Sequence, residues 1–244
     1  MCETTAPPRL DTDQLRDLYR SGLPAVFLMK VPDGLPHRLR GCLEELASCP
    51  QNKHINDGSL LGRVMARRAV EICCDVPLSK IQLTNTPRGQ PRVMLNSGAA
   101  RPGVSISHSK ATIAVALSAC GRIGIDLERL RPMSSSVVTR VFASDDAGYL
   151  RSLCGRQQEY AFARLWTVAE ACAKARGIGL EMLLNRMGPL GHEHEGIYEG
   201  DLRWATGLLY GNEAAAIACD RLRPTVGCIQ RAPEMTLDEL IHAC

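Results

Sequence analysis

The sequence predicts an α+β protein built from two similar halves. Helix-period and strand-period segments recur in the same order twice, and no short-period repeat is visible. In the first half a helical stripe over Leu60–Cys73 precedes the alternating runs Gly103–Ser109, Thr112–Ser118 and Arg122–Glu128. In the second, an alanine-rich helix ending at Lys174 precedes the runs Leu202–Tyr210 and Ala214–Cys219. The boundary falls near Gly121–Gly124, which divides the chain into residues 1–122 and 123–244 and leaves Asp126 and Glu128 at the junction.

Each element has a local reason. A short helix is predicted around Asp13–Tyr19, then an apolar strand within Leu23–Val31 and a helix near Leu39–Ala47. The stretch Pro50–Gly58 reads as loop, with Ser59 placed to cap the next helix. Leu61, Val64, Met65, Ala69 and Ile72 give that helix its apolar face, and Arg63, Arg67 and Arg68 its other face. Residues 81–96 look extended, interrupted by the turn-rich Thr86-Pro-Arg-Gly-Gln-Pro91. Gly121 reads as a hairpin turn between the second and third alternating runs. Ser134–Ser136 leads into a short helix, and Asp145-Asp146 into another through Leu153. The central helix runs from near Gln158 to Lys174 and is closed by Gly177 and Gly179, which tolerate positive φ. His192 and His194 lack ligands at zinc-helix spacing and are assigned to a hairpin loop. The run beginning at Ala214 continues into Arg221, and an amphipathic segment covers Leu237–His242.

Composition narrows the function. Of 244 residues 45% are hydrophobic and 23% charged, as in soluble globular chains. A net charge of +3 with only 4% aromatics gives no basic–aromatic pattern for nucleic acid. The eleven cysteines are odd in number and lack Cys-x-x-Cys, so they read as buried thiols in a reducing cytoplasm. No run reaches membrane-span length, and no leader-like N-terminus is seen, so a soluble cytoplasmic protein is expected.

Two segments carry candidate chemistry. In Trp166-Thr-Val-Ala-Glu-Ala-Cys-Ala-Lys174, residues Trp166, Glu170 and Lys174 share one helix face. An ordinary solvated Glu–Lys pair is the common meaning of that spacing. In Gly124-Ile-Asp-Leu-Glu128, however, a strand points Asp126 and Glu128 to one side. Three acids on two converging elements make an oxygen-rich site suited to a hard cation such as Mg²⁺. Arg63 and Arg67 are either a solvated basic face or a phosphate clamp. His108, flanked by Ser107 and Ser109 at a strand end, could donate to a phosphate. Ser107 to Lys110 also spells Ser-x-x-Lys, a spacing too common by chance to carry weight.

With these residues in view, the chain resembles a surfactin-type 4′-phosphopantetheinyl transferase. The resemblance rests on Ser59-Leu-Leu-Gly-Arg-Val-Met-Ala-Arg-Arg68, Gly89-Gln-Pro91, Ser105-Ile-Ser-His-Ser109, Gly124-Ile-Asp-Leu-Glu128, Val141-Phe-Ala-Ser144 and Trp166–Lys174, in family order over roughly residues 59–180. It implies two pseudo-symmetric α/β halves, each a helix on a small antiparallel sheet, with coenzyme A in the cleft between them. The implied reaction moves phosphopantetheine from coenzyme A to a serine of an acyl or peptidyl carrier protein and releases adenosine 3′,5′-bisphosphate.

By the same resemblance, Asp126, Glu128 and Glu170 would hold Mg²⁺ or Mn²⁺, with Glu170 also accepting the serine proton. Lys174 and His108 would contact phosphates, Arg63 and Arg67 would reach the 3′-phosphate, and Ser107, Gly89, Gln90 and Pro91 would line the coenzyme site. A monomer would suffice. The chain departs from the family at Ala169, where a lysine is usual, at Gln90 in place of lysine, at Gly58 in place of a basic residue, and at Asp145 or Asp146 in place of glutamate. Those departures leave open a non-catalytic relative that binds coenzyme A or a carrier. A metal-dependent phosphohydrolase is a third reading of the same acids.

Overall fold

The computed structural model describes residues 9–47, 55–95, 102–119, 121–179, 189–198, 200–220 and 225–241. In chain order the elements are α1 (Thr12–Arg20), β1 (Ala25–Lys30), α2 (His37–Leu46), α3 (Asp57–Cys74), β2 (Ile81–Asn85), β3 (Pro91–Leu95), β4 (Gly103–His108), β5 (Thr112–Ser118) and β6 (Ile123–Arg129). There follow α4 (Ser135–Val141), α5 (Ser144–Ser152), α6 (Gly155–Arg176), β7 (Glu195–Tyr198), β8 (Leu202–Leu209), β9 (Glu213–Cys219), α7 (Val226–Gln230) and α8 (Leu237–Ile241). Among the described residues the strands form sheets of order β1-β5-β4 and β6-β9-β8-β7 and a separate β2-β3 hairpin, all pairing antiparallel.

Strand alternation decides how these pieces stack. Phe27, Met29, Ile113, Val115 and Leu117 turn to α3 and share a core with Leu61, Val64 and Met65. The opposite face of that sheet offers Val26, Leu28, Ala114 and Ala116, which pack against Ile125, Leu127, Ala205, Ala215 and Ile217 of the second sheet. The other face of the second sheet, with Trp204, Ala216 and Ala218, lies under α6. The order of layers is thus helix, sheet, sheet, helix, and Ala114, Ala116, Ala205 and Ala215 sit among larger aliphatic side chains in the middle interface. This is the α+β architecture expected from the sequence. A cut at 122/123 leaves Met235 and Leu240 in the core beneath α3, and the C-terminal segment meets β1 through an isolated bridge between Leu28 and Glu234.

Two glycines set the helix positions. A Cβ at Gly62 would stand 2.7 Å from Ile106 Cγ2, so α3 seats closely on β4. A Cβ at Gly124 would stand 1.9 Å from the Ala171 carbonyl oxygen and 2.7 Å from the Ala175 nitrogen. Helix α6 therefore lies backbone to backbone on β6, a contact that also requires the alanines at 171 and 175.

Several sequence expectations need correction. Gly121 is a turn (φ 99°), but β5 and β6 do not form a hairpin, because β6 pairs with β9 in the other sheet. The turn is held by Asp220, which follows β9 and accepts from the Arg122 backbone N–H at 3.0 Å. Helix α3 starts at Asp57, with Asn56 rather than Ser59 as its cap; the Asn56 side chain accepts from the Ser59 N–H at 2.8 Å. Helix α6 starts at Gly155, earlier than Gln158, and ends at Gly177 in the left-handed region (φ 70°). His192 and His194 lie in the turn that leads into β7, against Tyr149 and Tyr160 respectively. Buried Asp146 fixes that turn by accepting from the N–H groups of Leu190 and Gly191.

Among the described cysteines Cys73, Cys172 and Cys219 are buried, and burial pushes the Cys73 thiol up to about 12. Cys154 is exposed, unlike the expected buried type. Arg221 and His242 lie outside the described residues, as does Cys120. No helix among the described residues is long and apolar enough to cross a membrane.

Candidate active site

The two sheets meet edge to edge where β4 passes β6, and serine hydroxyls make the join. Ser105 Oγ accepts from the Ile125 N–H at 3.0 Å, and Ser107 Oγ accepts from the Leu127 N–H at 3.2 Å. Side chains here do what a partner strand's carbonyls would do in a continuous ladder. Because Ile125 and Leu127 face the sheet–sheet core, Gly124, Asp126 and Glu128 face the other way, toward α6. The alternation of Gly-Ile-Asp-Leu-Glu places two carboxylates on one side of one strand, as expected.

Asp126 is the node of the site. It is 7% exposed, and its Oδ1 accepts from Ser107 Oγ at 2.9 Å and from Lys174 Nζ at 2.7 Å. Lys174 Nζ also donates to the Ile125 carbonyl at 3.1 Å. Glu128 lies at the next outward position and pairs with Arg131 at 3.2 Å. Burial chiefly raises the Glu128 pKa; Arg131 opposes this, and Asp126 adds to it. Two carboxylates that repel one another on one face suit a hard divalent cation, so the residues present fit such an ion in chemistry.

The three-carboxylate cage expected from the sequence is not formed. Among the described residues no group of three or more His, Cys, Asp or Glu side chains lies close enough to hold a metal ion. The position of α6 along β6 delivers the Lys174 ammonium to Asp126, while Glu170 sits one turn earlier on the same helix face. Glu170 is half-buried on α6, and Ala169 before it is buried in the core beside the helix.

His108 closes the site from the other side. Its Nε2 lies 3.0 Å from Ser59 Oγ at the start of α3. Burial lowers its pKa, Lys174 lowers it further, and Asp126 partly offsets both, which favours the neutral ring. A Cβ at Gly58 would stand 3.1 Å from the ring, so the glycine found where a basic residue was expected gives His108 room. The Ser-x-x-Lys spacing has no counterpart in space: Ser107 is buried and engaged with Asp126, whereas Lys110 is exposed beyond the turn.

Two openings flank this node. One, of about 440 Å³, lies between the hairpin tip Thr86–Arg92, the start of β4, and the end of α6, and Gly89, Gln90, Pro91 and Lys174 all line it. Its ionisable lining is wholly cationic, from Arg88, Arg92, Arg122 and Lys174. The second, of about 590 Å³, is lined by His108–Lys110 and Leu127–Arg131, including Glu128.

Arg63 and Arg67 face neither opening. Both are buried on α3: Arg63 donates to the Leu83 carbonyl and, at 2.9 Å, to Asn85 Oδ1, and Arg67 to the carbonyls of Ile81, Leu78 and Leu46. The expected alternatives, a solvated basic face or a phosphate clamp, both give way to a structural role, because the unpaired edge of β2 and the nearby turns leave carbonyls that need donors. Gln90 likewise donates through Nε2 to the Lys174 carbonyl at 2.8 Å. Sequence reasoning passed over Ser105 and the packing role of Gly124. A glycine inside a strand pattern signals close approach of another backbone, and that signal was present.

Residues 122–199 match the family model described as the 4′-phosphopantetheinyl transferase superfamily. The chain is 34% identical over 126 residues to the 4′-phosphopantetheinyl transferase HetI of Nostoc sp., covering 50% of this chain and 52% of that one. It is also 34% identical over 120 residues to AcpT of Salmonella typhimurium, 48% and 57% of the two chains. Against Sfp of Bacillus subtilis it is 27% identical over 144 residues, 58% and 62% of the two chains. The chain therefore spans about half the length of the curated relatives it matches.

Proposed function

We propose that this chain, whose residues 122–199 match the model of the 4′-phosphopantetheinyl transferase superfamily, moves phosphopantetheine from coenzyme A to a serine of an acyl or peptidyl carrier protein. The observation that carries this reading is the Asp126–Lys174–Ser107 node, set between a cationic cleft and an opening that holds His108 and Glu128. The leaving product would be adenosine 3′,5′-bisphosphate.

The chemistry asks for charge control more than for covalent steps. The serine oxygen attacks a phosphorus whose oxygens are already negative, so fixed positive groups lower the barrier. Lys174 Nζ is such a group, held by Asp126 and the Ile125 carbonyl before substrate arrives. Neutral His108 offers a ring N–H to a phosphate oxygen at the mouth. Asp126 and Glu128, the two carboxylates on one face of β6, would hold Mg²⁺ or Mn²⁺. Such an ion, when bound, neutralises pyrophosphate oxygens and aligns the groups. Glu170 accepts the proton from the carrier serine, directly or through water.

Intact mass tests the proposal. Incubation of the protein with coenzyme A, Mg²⁺ and an apo carrier protein is expected to add one phosphopantetheine mass to the carrier. Glu170→Gln is expected to slow the transfer by about 10²–10⁴-fold while leaving the far-ultraviolet dichroism unchanged. No mass increment across several carriers, with coenzyme A still bound, would instead mark a non-catalytic binder, and wild-type turnover in Glu170→Gln would remove Glu170 from the mechanism.

A further inference from the structure

We propose that the β2–β3 hairpin is a strap across the cationic cleft, latched by Gln90, and that Gln90 is a positioning residue for Lys174. The hairpin belongs to neither larger sheet. Along the length of β2 it is tied to α3, where Arg67 reaches Ile81 and Arg63 reaches Leu83 and Asn85. At its tip it is tied to α6, where Gln90 Nε2 donates to the Lys174 carbonyl at 2.8 Å and Arg88 Nη1 to the Gly177 carbonyl at 2.9 Å. The tip itself is pinned: Thr86 N–H donates to the Gln90 carbonyl at 2.8 Å, and Gln90 N–H to Thr86 Oγ1 at 3.1 Å.

The Lys174 carbonyl lies in the last turn of α6, where the Gly177 N–H meets it at 3.2 Å, and both carbonyls stand at the negative end of the helix dipole. Gly177, in the left-handed region, makes the approach possible, since a Cβ there would stand 3.1 Å from Gln90 Oε1. Lys174 is thus held twice, by its carbonyl through Gln90 and by its ammonium through Asp126. Where the resemblance would place a lysine on the phosphate or ribose side of the coenzyme, this chain has a side chain that fixes the residue offering the cation. The consequence for coenzyme A rests on the proposed function; the strap itself does not.

Gln90→Glu keeps the size and sets a carboxylate against carbonyls at a helix C-terminus, which repels. In the ligand-free protein, hydrogen exchange over residues 86–91 and in the last turn of α6 is expected to quicken by about tenfold. Coenzyme A affinity, read by titration calorimetry, is expected to fall by at least about threefold. Gln90→Lys, which keeps a donor at the helix end, is expected to exchange at the wild-type rate. Unchanged exchange in Gln90→Glu, or fast exchange in Gln90→Lys, contradicts the latch; fast exchange in Gln90→Glu with unchanged coenzyme affinity contradicts the positioning role. Failure of the wild-type protein to bind coenzyme A would overturn the functional reading, and the exchange contrast would still decide the strap.

Discussion

Gly124→Ala is expected to unseat α6 and to cost both stability and activity. The new methyl carbon would start 1.9 Å from the Ala171 carbonyl oxygen, and that oxygen belongs to helix backbone, which cannot turn aside as a flexible side chain could. Relief comes only by lifting the helix from β6 or by bending the strand, so a destabilisation of about 3 kcal/mol is expected, at the upper end for overpacked sites. Because Lys174 reaches Asp126 from this helix, a shift near 1 Å would also degrade the geometry of the node, with a loss in kcat/KM of about 10²-fold. Urea denaturation and the carrier-mass assay check the two parts separately. Wild-type stability in Gly124→Ala would mean that α6 does not rest on the strand backbone.

Asp126→Asn is the second large effect. The amide keeps an oxygen able to accept from Ser107, but it removes the charge opposite Lys174 Nζ, 2.7 Å away. A hydrogen bond between charged groups contributes about 1.5–3 kcal/mol, and a loss of that size in urea denaturation is expected. Transfer is expected to fall by about 10²–10³-fold, the range for removing a fixed electrostatic group from a reaction centre. Lys174→Ala in the same chain separates the causes. If the stability loss comes from stranding the ammonium, the double variant will be more stable than additivity predicts. Strict additivity would show that the pair is not coupled.

The site was legible in sequence as far as local period reaches. The alternation of Gly124–Glu128 fixed which residues share a face, and the spacing of Trp166, Glu170 and Lys174 did the same for α6. What lay outside that reach depends on partners far apart in the chain. The engagement of Arg63 and Arg67 with β2 carbonyls cannot be read from helix period, which only shows that they avoid the apolar face. The exchange of β6 from one sheet to the other at Gly121 depends on Asp220, about a hundred residues on, which holds the turn. The choice of Lys174 over Glu170 at Asp126 depends on how far α6 slides along β6, and Gly124 with the alanines beneath it sets that position.

A crystal soaked with coenzyme A and Mn²⁺ tests the central claim most directly, through anomalous density at the manganese edge. A peak is expected between the pyrophosphate and the carboxylates of Asp126 and Glu128, with Lys174 Nζ on a phosphate oxygen. A coenzyme bound with its pyrophosphate away from these side chains, or a manganese peak remote from both carboxylates, would contradict it.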